Sequence, residues 1–508
     1  NRRDAMVVIL LGYFLLLTHY FYSQSIPAGL WLLSTITLLT ATLIRVHGGA
    51  QPVAAIARLA CLLLVQALPF MLILYLLFPR VSGPLWGLPQ DAYSALSGLS
   101  EQMSPGSISS LTQSGAIAFR SQFAGDVPEK ADLYWRGPVF DDYDGLTWRA
   151  RPPAGGPARA DPLIEARGQV HAYTSILEAH NQRWLLALDV PTRLPPDSRL
   201  APTLEVLARE PLRVRSRVSF VSALDYRASV AEAAAILQQS LALPAQFNPR
   251  TRALAAEWQS LPPREIAEAA LTKFRHEPFY YTLQPPLLGP DAMDEFLFTT
   301  RRGFCEHYAS AFVFLMRAAG VPARVVAGYQ GGEVNPVDGY LTVRQSDAHA
   351  WAEIWLAGQG WVRVDPTAAV APARIEQGIA AALPEGEPLP VVVRIDADWL
   401  RQLRNRWEAA NNSWNQWVLG YNPQRQREVL SRLGLADADW QKMTATLAVL
   451  CGTALLIVTL WTLPARRAVD PVQRAWQRYC KELARRGMAR AEWEGPLAFA
   501  QRVARERP

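Results

Sequence analysis

The sequence predicts an α+β protein that transmembrane α-helices anchor in a membrane. Both ends of the 508-residue chain carry long apolar runs, residues 116–222 alternate between apolar and polar side chains, and helical periodicity follows from residue 230. Alternation with a period of two is typical of strands, and apolar residues at steps of three and four are typical of helices. We therefore expect a β-rich domain followed by a mixed core of helices and strands.

Four apolar runs predict membrane spans. Residues 59–78 and 443–463 contain no charged side chain, and residues 6–22 and 30–44 contain no Asp, Glu, Lys or Arg. Each run approaches the ~20 residues that a helix needs to cross the hydrocarbon core of a bilayer. Because the chain begins with Asn1 rather than Met, we expect further spans upstream.

Basic residues predict the orientation of these spans, because Lys and Arg concentrate in the cytoplasmic loops of membrane proteins. Arg2 and Arg3 precede the first run, Arg45 follows the second, and the tail after the fourth run is rich in Arg. Four spans with a cytoplasmic N-terminus place residues 80–442 outside and the tail inside. The net charge of +6 therefore reflects membrane topology, and we expect no nucleic-acid partner.

One cysteine in the outer region indicates a chemical role. Of four cysteines, Cys61 and Cys451 lie in predicted spans and Cys480 lies in the tail, so Cys305 alone lies in the exported region. Exported domains tend to form disulfides or to avoid cysteine, so a lone exported thiol suggests a reactive group. The following apolar residues recur at helical steps as far as Gly320, which predicts a helix that begins at Cys305. The partial positive charge of a helix N-terminus favours a thiolate.

A strand hairpin is predicted to supply an imidazole and a carboxylate. Residues 349–356 alternate cleanly and begin with His349, and the returning run 361–365 ends at Asp365. A four-residue turn between them sets Asp365 opposite Ala352, so a bulge, a longer turn or a diagonal contact is needed to join the two side chains. A cysteine nucleophile requires a base of this kind, held in place by a third group.

His307 is a competing candidate for the base. It lies only two residues from Cys305 on the same predicted helix, where side chains diverge, so His349 is preferred. A zinc site is disfavoured, because the region has one cysteine and no paired ligand spacing. We therefore expect neither a metal nor a cofactor.

Four short motifs surround these residues: 303–306 (GFCE), 322–329 (PARVVAGY), 347–353 (DAHAWAE) and 361–367 (WVRVDPT). They resemble the bacterial transglutaminase-core family, and the flanking spans with a β-rich segment resemble its multi-span inner-membrane branch. The resemblance implies a papain-like transglutaminase core. It also implies roles for three residues: nucleophile for Cys305, base for His349 and orienting carboxylate for Asp365.

The working hypothesis is acyl transfer from a glutamine carboxamide to a primary amine through a thioester on Cys305. The expected partners are a glutamine-bearing protein or peptide, an amine acceptor and the lipid bilayer. The resemblance implies the bacterial inner membrane, with a periplasmic catalytic domain and a cytoplasmic C-terminal tail. Two alternatives stay open: a cysteine peptidase or amidase on the same core that acts on cell-envelope peptides, and a non-catalytic membrane scaffold.

This interpretation divides the chain into six segments. They are three transmembrane helices (1–79), an outward-facing β-rich domain (80–228), a transglutaminase-like catalytic core (229–372), a linker with an amphipathic juxtamembrane helix (373–442), a fourth transmembrane helix (443–463) and a basic helical tail (464–508). In the amphipathic helix, predicted over residues 396–419, apolar residues recur at helical steps: Trp399, Leu403, Trp407, Trp414 and Trp417. Docking on the core and contact with the membrane interface both fit this stripe, and we favour the core.

Overall fold

The structure is a computed structural model that describes residues 2–22, 24–48, 51–78, 98–150, 163–384, 386–394, 397–421, 423–432, 434, 440–462 and 471–506. The chain divides into two units, one formed by residues 1–85 with 411–508 and the other by residues 86–410. The predicted boundaries at residues 79 and 463 lie outside the described residues.

Three apolar helices begin the first unit: α1 (Arg2–Tyr22), α2 (Ile26–Gly48) and α3 (Val53–Leu77). They cover the first three predicted spans. All three are long and apolar enough to cross a membrane.

The β-rich segment begins the second unit. In chain order its described elements are β1 (Gln102–Met103), α4 (Ser107–Thr112), β2 (Ile117–Phe123), β3 (Tyr134–Phe140), β4 (Asp142–Tyr143), β5 (Trp148–Arg149), β6 (Ile164–Leu177), β7 (Trp184–Leu185), β8 (Ala187–Leu188), β9 (Val190–Arg193), β10 (Ser198–Leu200), β11 (Val206–Ala208) and β12 (Ser216–Ala228). The longer strands coincide with runs that alternation predicts. The strands from β7 to β11 have two to four residues, too few for alternation to reveal them.

Helices and strands then mix along the chain. The elements are α5 (Ala234–Gln239), α6 (Pro249–Trp258), α7 (Pro263–His276), β13 (Tyr280–Tyr281), α8 (Ala292–Glu295), β14 (Arg302–Gly303), α9 (Cys305–Ala318), β15 (Ala323–Gln330), β16 (Glu333–Val334), β17 (Leu341–Arg344), β18 (Ala348–Leu356), β19 (Gly360–Val364), α10 (Pro366–Val370), α11 (Pro372–Glu376) and α12 (Ile379–Ala382). Proline is the first residue of α6, α7, α10 and α11, where its missing N–H costs no helical hydrogen bond.

Among the described residues after 397, the α-helices are α13 (Asp398–Trp414), α14 (Pro423–Arg432), α15 (Trp440–Thr462), α16 (Pro471–Arg485) and α17 (Pro496–Glu506), and a π-helical turn (Asn415–Leu419) follows α13. Helix α15 covers the described part of the fourth predicted span, residues 443–462, and is the fourth described helix that is apolar enough to cross a membrane.

One eleven-stranded sheet organises the second unit. Its order is β16-β17-β2-β6-β12-β19-β18-β15-β3-β8, and β9 pairs with β12. Strands β12 and β19 meet through a single parallel pair, Ala228 beside Gly360. Gly360 has a φ of +80°, and a Cβ there would lie 1.9 Å from the Ala228 carbonyl oxygen, so only glycine fits this junction. The domain boundary at residues 228 and 229 stays a prediction, but strands from both sides of it share this sheet.

Helix α9 lies at the centre of the core and packs against β18. All of its residues from Cys305 to Arg317 are buried. Ala348, Ala350 and Ala352 of β18 belong to the same apolar cluster, and their small side chains allow a close approach of the helix. The predicted α+β fold class is confirmed.

The hairpin of β18 and β19 differs from its prediction by one residue. Leu356 pairs with Gly360 and Ala352 pairs with Val364, so the turn has three residues rather than four. The prediction that Asp365 stands opposite Ala352 is therefore wrong. Continuing the observed register sets Asp365 two residues from the position opposite His349, which a diagonal cross-strand contact can bridge.

Candidate active site

Cys305 is the first residue of α9 and is fully buried. Phe304 precedes it in an extended conformation, and its N–H donates to Nδ1 of His307 at 3.3 Å. The first N–H groups of a helix have no intrahelical acceptor and favour negative charge nearby. The structure therefore puts the thiol at a helix N-terminus, as predicted.

His349 and Asp365 form a buried pair. Nε2 of His349 lies 2.7 Å from Oδ2 of Asp365, and the two side chains are 0% and 6% exposed. Oδ2 also accepts from the hydroxyl of Tyr134 at 2.8 Å, and Oδ1 accepts from the N–H of Thr367 at 2.9 Å. The carboxylate is thus held by donors from β3 and α10 while it orients the imidazole.

This pairing leaves the second ring nitrogen of His349 available. When Nε2–H donates to Asp365, Nδ1 carries the lone pair. Nδ1 is buried and has no hydrogen-bond partner among the described residues. A buried acceptor without a partner is costly, but it is the form that a general base requires.

Cys305 begins the helix that packs against β18. The main-chain N–H of Ala350, the residue after His349, lowers the pKa of Cys305. Within the described chain, no hydrogen bond joins the thiol to Nδ1 of His349. Catalytic hydrogen bonds are often loose before substrate binds, so this geometry is compatible with proton transfer.

Burial and neighbouring charge keep the thiol protonated. Burial is the larger effect and the charge of Glu306 the next, and together they raise the pKa of Cys305. Arg374 and the N–H of Ala350 act in the opposite direction and do not overcome them. The resting site therefore holds a neutral thiol.

The imidazole and the carboxylate titrate in a complementary way. Burial lowers the pKa of His349, and the nearby charge of Asp365 offsets this only in part. Burial opposes ionisation of Asp365, but His349 and the hydrogen bonds from Tyr134 and Thr367 outweigh it and lower its pKa. The pair therefore consists of a neutral imidazole and an ionised carboxylate.

Arg374 of α11 is a buried cation at the site that the sequence analysis missed. Its side chain is fully buried. Its terminal nitrogens donate to uncharged oxygens: Oε1 of Gln330 at 2.8 Å, and the main-chain oxygens of Asp347 at 3.2 Å and Ala348 at 3.4 Å. Nε has no hydrogen-bond partner among the described residues. The one available signal was that Arg374 is the only charged residue in the run 366–375.

Tyr281 of β13 was also missed. Its side chain is buried, and its hydroxyl has no well-aligned hydrogen-bond partner in the described part of the chain. Burial raises the pKa of Tyr281, the nearby Cys305 raises it further, and Arg374 lowers it. A neutral hydroxyl group therefore lies near both the thiol and the guanidinium.

The two residues after Cys305 have structural partners of their own. Glu306 accepts hydrogen bonds from the N–H groups of Gly106 and Ile108, which ties the segment around α4 to the start of α9. Burial raises the pKa of Glu306 to about 7, although the hydrogen bonds from Ile108 and Gly106 lower it in part. Burial lowers the pKa of His307 to about 4, and its Nδ1 serves the start of the helix. His307 is thus engaged in capping.

A groove of about 510 Å³ opens beside Tyr281. Tyr280 and Arg302 line one part of it, and Ala371 and Glu387 line another. The groove is therefore lined in part by Tyr281, which interacts electrostatically with Cys305.

Comparisons with known proteins agree with these observations. A model described as the TgpA N-terminal domain matches residues 1–229, and a model of the transglutaminase-like superfamily matches residues 252–366. The protein-glutamine gamma-glutamyltransferase of Pseudomonas aeruginosa is 40% identical over 529 aligned positions, covering 100% of this chain and 77% of that protein.

The chain belongs to the TgpA family of bacterial transglutaminase-core proteins. The crystal structure of the periplasmic domain of TgpA from Pseudomonas aeruginosa covers 56% of this chain and 100% of that one, with 45% identity and a TM-score of 0.54. The Bacillus subtilis protein YebA, described as uncharacterized, is 43% identical over 86 residues, or 16% of this chain and 12% of that protein. The predicted resemblance to the bacterial transglutaminase-core family is confirmed.

Proposed function

We propose that this TgpA-family chain is a membrane-anchored protein-glutamine γ-glutamyltransferase. The observation that carries the proposal is the buried pair of His349 and Asp365, 2.7 Å apart, in which His349 belongs to the strand that packs against the helix of Cys305. The activity named for the Pseudomonas relative supports it. Cys305 is the nucleophile, His349 the general base and Asp365 the group that orients the base.

The first half-reaction forms a thioester. Nδ1 of His349 takes the thiol proton while the sulfur of Cys305 attacks the carbon of a glutamine carboxamide, whose oxygen becomes an oxyanion. When the oxyanion collapses, the C–N bond breaks and protonated His349 gives its proton to the departing nitrogen. Ammonia leaves, and the acyl group remains bonded to sulfur.

The second half-reaction restores the thiol. The nitrogen of a primary amine attacks the thioester carbon and passes a proton to His349. Collapse of the second oxyanion breaks the S–C bond, and the sulfur of Cys305 recovers the proton from His349. Water in place of the amine gives deamidation, and attack on a peptide bond followed by water gives the peptidase alternative.

Negative charge in this buried site needs stabilisation as it forms. Cys305 lies at the N-terminus of α9, the guanidinium of Arg374 lowers the pKa of its thiol, and the thiol interacts electrostatically with Tyr281. Buried charges are normally paired, yet the described hydrogen bonds of Arg374 go to uncharged oxygens. We propose that its counter-charge is the thiolate and the oxyanion that arise during the reaction.

The groove beside Tyr281 is the proposed site for the chain that bears the glutamine. Among the described residues, its lining combines aromatic and aliphatic side chains with the cation of Arg302 and the carboxylate of Glu387. A mixed lining of this kind suits a peptide segment, which presents both apolar side chains and polar backbone groups.

The bacterial inner membrane is the proposed location. The four apolar helices and the Arg-rich tail support periplasmic exposure of residues 80–442 and a cytoplasmic C-terminus. A reporter enzyme that is active only in the periplasm should be active when fused after residue 420 and inactive when fused after residue 506. The reverse result would invert the topology.

The proposed activity is tested by incorporation of a labelled primary amine. The full chain, in detergent micelles, is incubated with a glutamine-bearing protein whose lysines are methylated, so that the labelled amine is the only good acceptor. Cys305→Ala should abolish incorporation. Cys480→Ala changes another cysteine outside the site and should retain it.

Each outcome separates the alternatives. Ammonia release without label, lost in Cys305→Ala, would identify a deamidase or amidase on the same core. Cleavage of the protein substrate, again dependent on Cys305, would identify a peptidase. If the wild type and Cys305→Ala behave alike in every assay, the scaffold interpretation replaces catalysis.

A further inference from the structure

Helix α13 presents its apolar stripe to the outside. Trp399, Leu403 and Trp407 follow one another at steps of four and therefore lie along one face. Their exposed fractions are 67%, 58% and 47%. A surface helix of a water-soluble protein turns such a stripe towards the core, so this helix has the reverse orientation.

The polar face of α13 is the one that contacts the core. Glu408 forms an ion pair with Arg344 at 2.6 Å, and these side chains are 12% and 7% exposed. Arg404 donates to the carbonyl oxygen of Val392 at 3.0 Å. The preference for docking of the tryptophan stripe on the core does not match this arrangement, in which charged and amide groups make the contacts.

Two further contacts hold the orientation. Arg404 forms an ion pair with Glu333 at 2.5 Å, and Nδ2 of Asn335 donates to the carbonyl oxygen of Asn405 at 2.9 Å. With the ion pair of Glu408, these contacts occupy three positions within two turns of the helix. Turning the stripe inward would break them all, so its outward orientation belongs to the fold.

We propose that this stripe, formed by Trp399, Leu403 and Trp407, lies in the lipid–water interface of the bilayer that anchors the chain. Helices α14 and α15 follow α13 in the sequence, and α15 is apolar enough to span a membrane. Tryptophan is enriched at membrane interfaces, because its ring is apolar and its N–H is polar. Arg406, which is exposed and lies on the face of the stripe, suits the anionic headgroups of phospholipids.

Helix α13 is linked to the candidate active site through the ion pair of Glu408 with Arg344 and the short segment of chain that follows Arg344. Arg344, the partner of Glu408, ends β17, and its N–H donates to Oδ2 of Asp347 at 2.8 Å. Asp347 directly precedes β18, the strand of His349. Helix α13 is therefore linked to the strand that carries His349.

A photoreactive amino acid in place of Leu403 tests the proposal in the full chain, reconstituted into phospholipid vesicles. Leu287 is the matched control, because it is an apolar residue of the same unit that is 99% exposed. Leu455 in α15, which is 59% exposed, is the positive control for lipid contact. After irradiation, the mass of each adduct identifies the neighbour of the replaced residue.

We expect phospholipid adducts at positions 403 and 455 and none at position 287. Adducts to water alone at position 403, alongside lipid adducts at 455, would overturn the proposal. A covalent dimer through position 403 would also overturn it and would identify a second copy as the occupant. Retained incorporation of labelled amine, or an unchanged melting transition, shows that each substituted protein is folded.

Discussion

Cys305 is held as a neutral thiol by its surroundings. Burial and the charge of Glu306 oppose its ionisation, and the guanidinium of Arg374 favours it. The resting protein is therefore expected to protect its thiol from alkylation and oxidation, and the thiolate forms only as His349 removes the proton.

The pH dependence of Cys305 alkylation tests this state. Only the thiolate reacts with a small alkylating reagent, and the raised pKa restricts the thiolate to high pH. We expect the rate to keep rising with pH beyond about 8.5, the ordinary pKa of a cysteine. The rate is measured as loss of amine incorporation by the full chain. A rate that is already constant at neutral pH would indicate a preformed thiolate–imidazolium pair.

The Glu306→Gln variant tests whether the charge of Glu306 contributes to the raised pKa of Cys305. Glu306 has a pKa of about 7, so its charge is present above that pH and absent below it. The variant should therefore be alkylated faster than the wild type above pH 7 and at the same rate well below it. Ser107→Ala is the matched control, because it removes a 3.3 Å hydrogen bond to Glu306 without removing charge.

Arg374→Gln is expected to lower kcat/KM for amine incorporation by about a hundredfold, the typical loss when one electrostatic stabiliser of an oxyanion is removed. It should also move the alkylation profile of Cys305 to higher pH, which a purely structural defect would not do. Arg374→Lys keeps the charge and should recover part of both effects. If Arg374→Gln changes only the melting temperature, the cation has a structural role alone.

At the scale of elements, β18 carries two different environments on its two faces. Ala348, Ala350 and Ala352 join the cluster that contains α9. On the alternate positions, Glu353 forms ion pairs with Arg136 of β3 and Arg324 of β15. Burial opposes ionisation of Glu353, but the two guanidinium groups outweigh it and lower its pKa to about 2.

Glu353→Gln should therefore destabilise the second unit strongly. It leaves two buried guanidinium groups without their counter-charge, which costs about 3–5 kcal/mol in comparable sites. Because the lowered pKa keeps Glu353 ionised, this contribution is present above the ordinary pKa of a glutamate and is lost as the pH falls towards 2. The loss of stability is measured by thermal unfolding, with intrinsic fluorescence as the signal.

Glu268→Gln is the control for that measurement. Glu268 and Arg275 form an ion pair whose side chains are 62% and 48% exposed. Exposed pairs contribute about 0–1 kcal/mol, so this variant should unfold close to the wild type. Equal losses of stability in Glu353→Gln and Glu268→Gln would mean that the buried ion pairs of Glu353 stabilise the protein no more than an exposed pair does.

Strand β18 takes part in one feature that the sequence predicted, its hairpin with β19, and carries His349, whose partner Asp365 makes a contact that the sequence did not predict. Alternation and a glycine turn are local signals, so they predicted the β18–β19 hairpin and brought His349 near Asp365. The turn length was wrong by one residue, because local pattern does not fix register. Tyr134 reaches Asp365 across 231 positions of the chain. No local period encodes such a contact, which depends on the order of strands in the finished sheet.

At the scale of the whole molecule, the candidate site is assembled from distant segments by the eleven-stranded sheet. Strand β3 lies beside β15, and β2 lies beside β17, so the β-rich segment contributes strands between those of the catalytic segment. Tyr134 of β3 also holds the carboxylate of Asp365. The sheet thus makes one folding unit of two segments that the sequence presents as separate domains.

Residues 229–372 alone should therefore fail to fold. Without β3, β15 loses the neighbour on one side and exposes an unpaired edge, which favours aggregation. Glu353 loses Arg136 and Asp365 loses Tyr134, so buried groups in and beside the site are left unpaired. Residues 98–410 retain all of these partners and should give one cooperative thermal transition. If fragment 229–372 unfolds cooperatively at a similar temperature, the two segments are independent domains, and the shared sheet contributes little to the stability of the catalytic core.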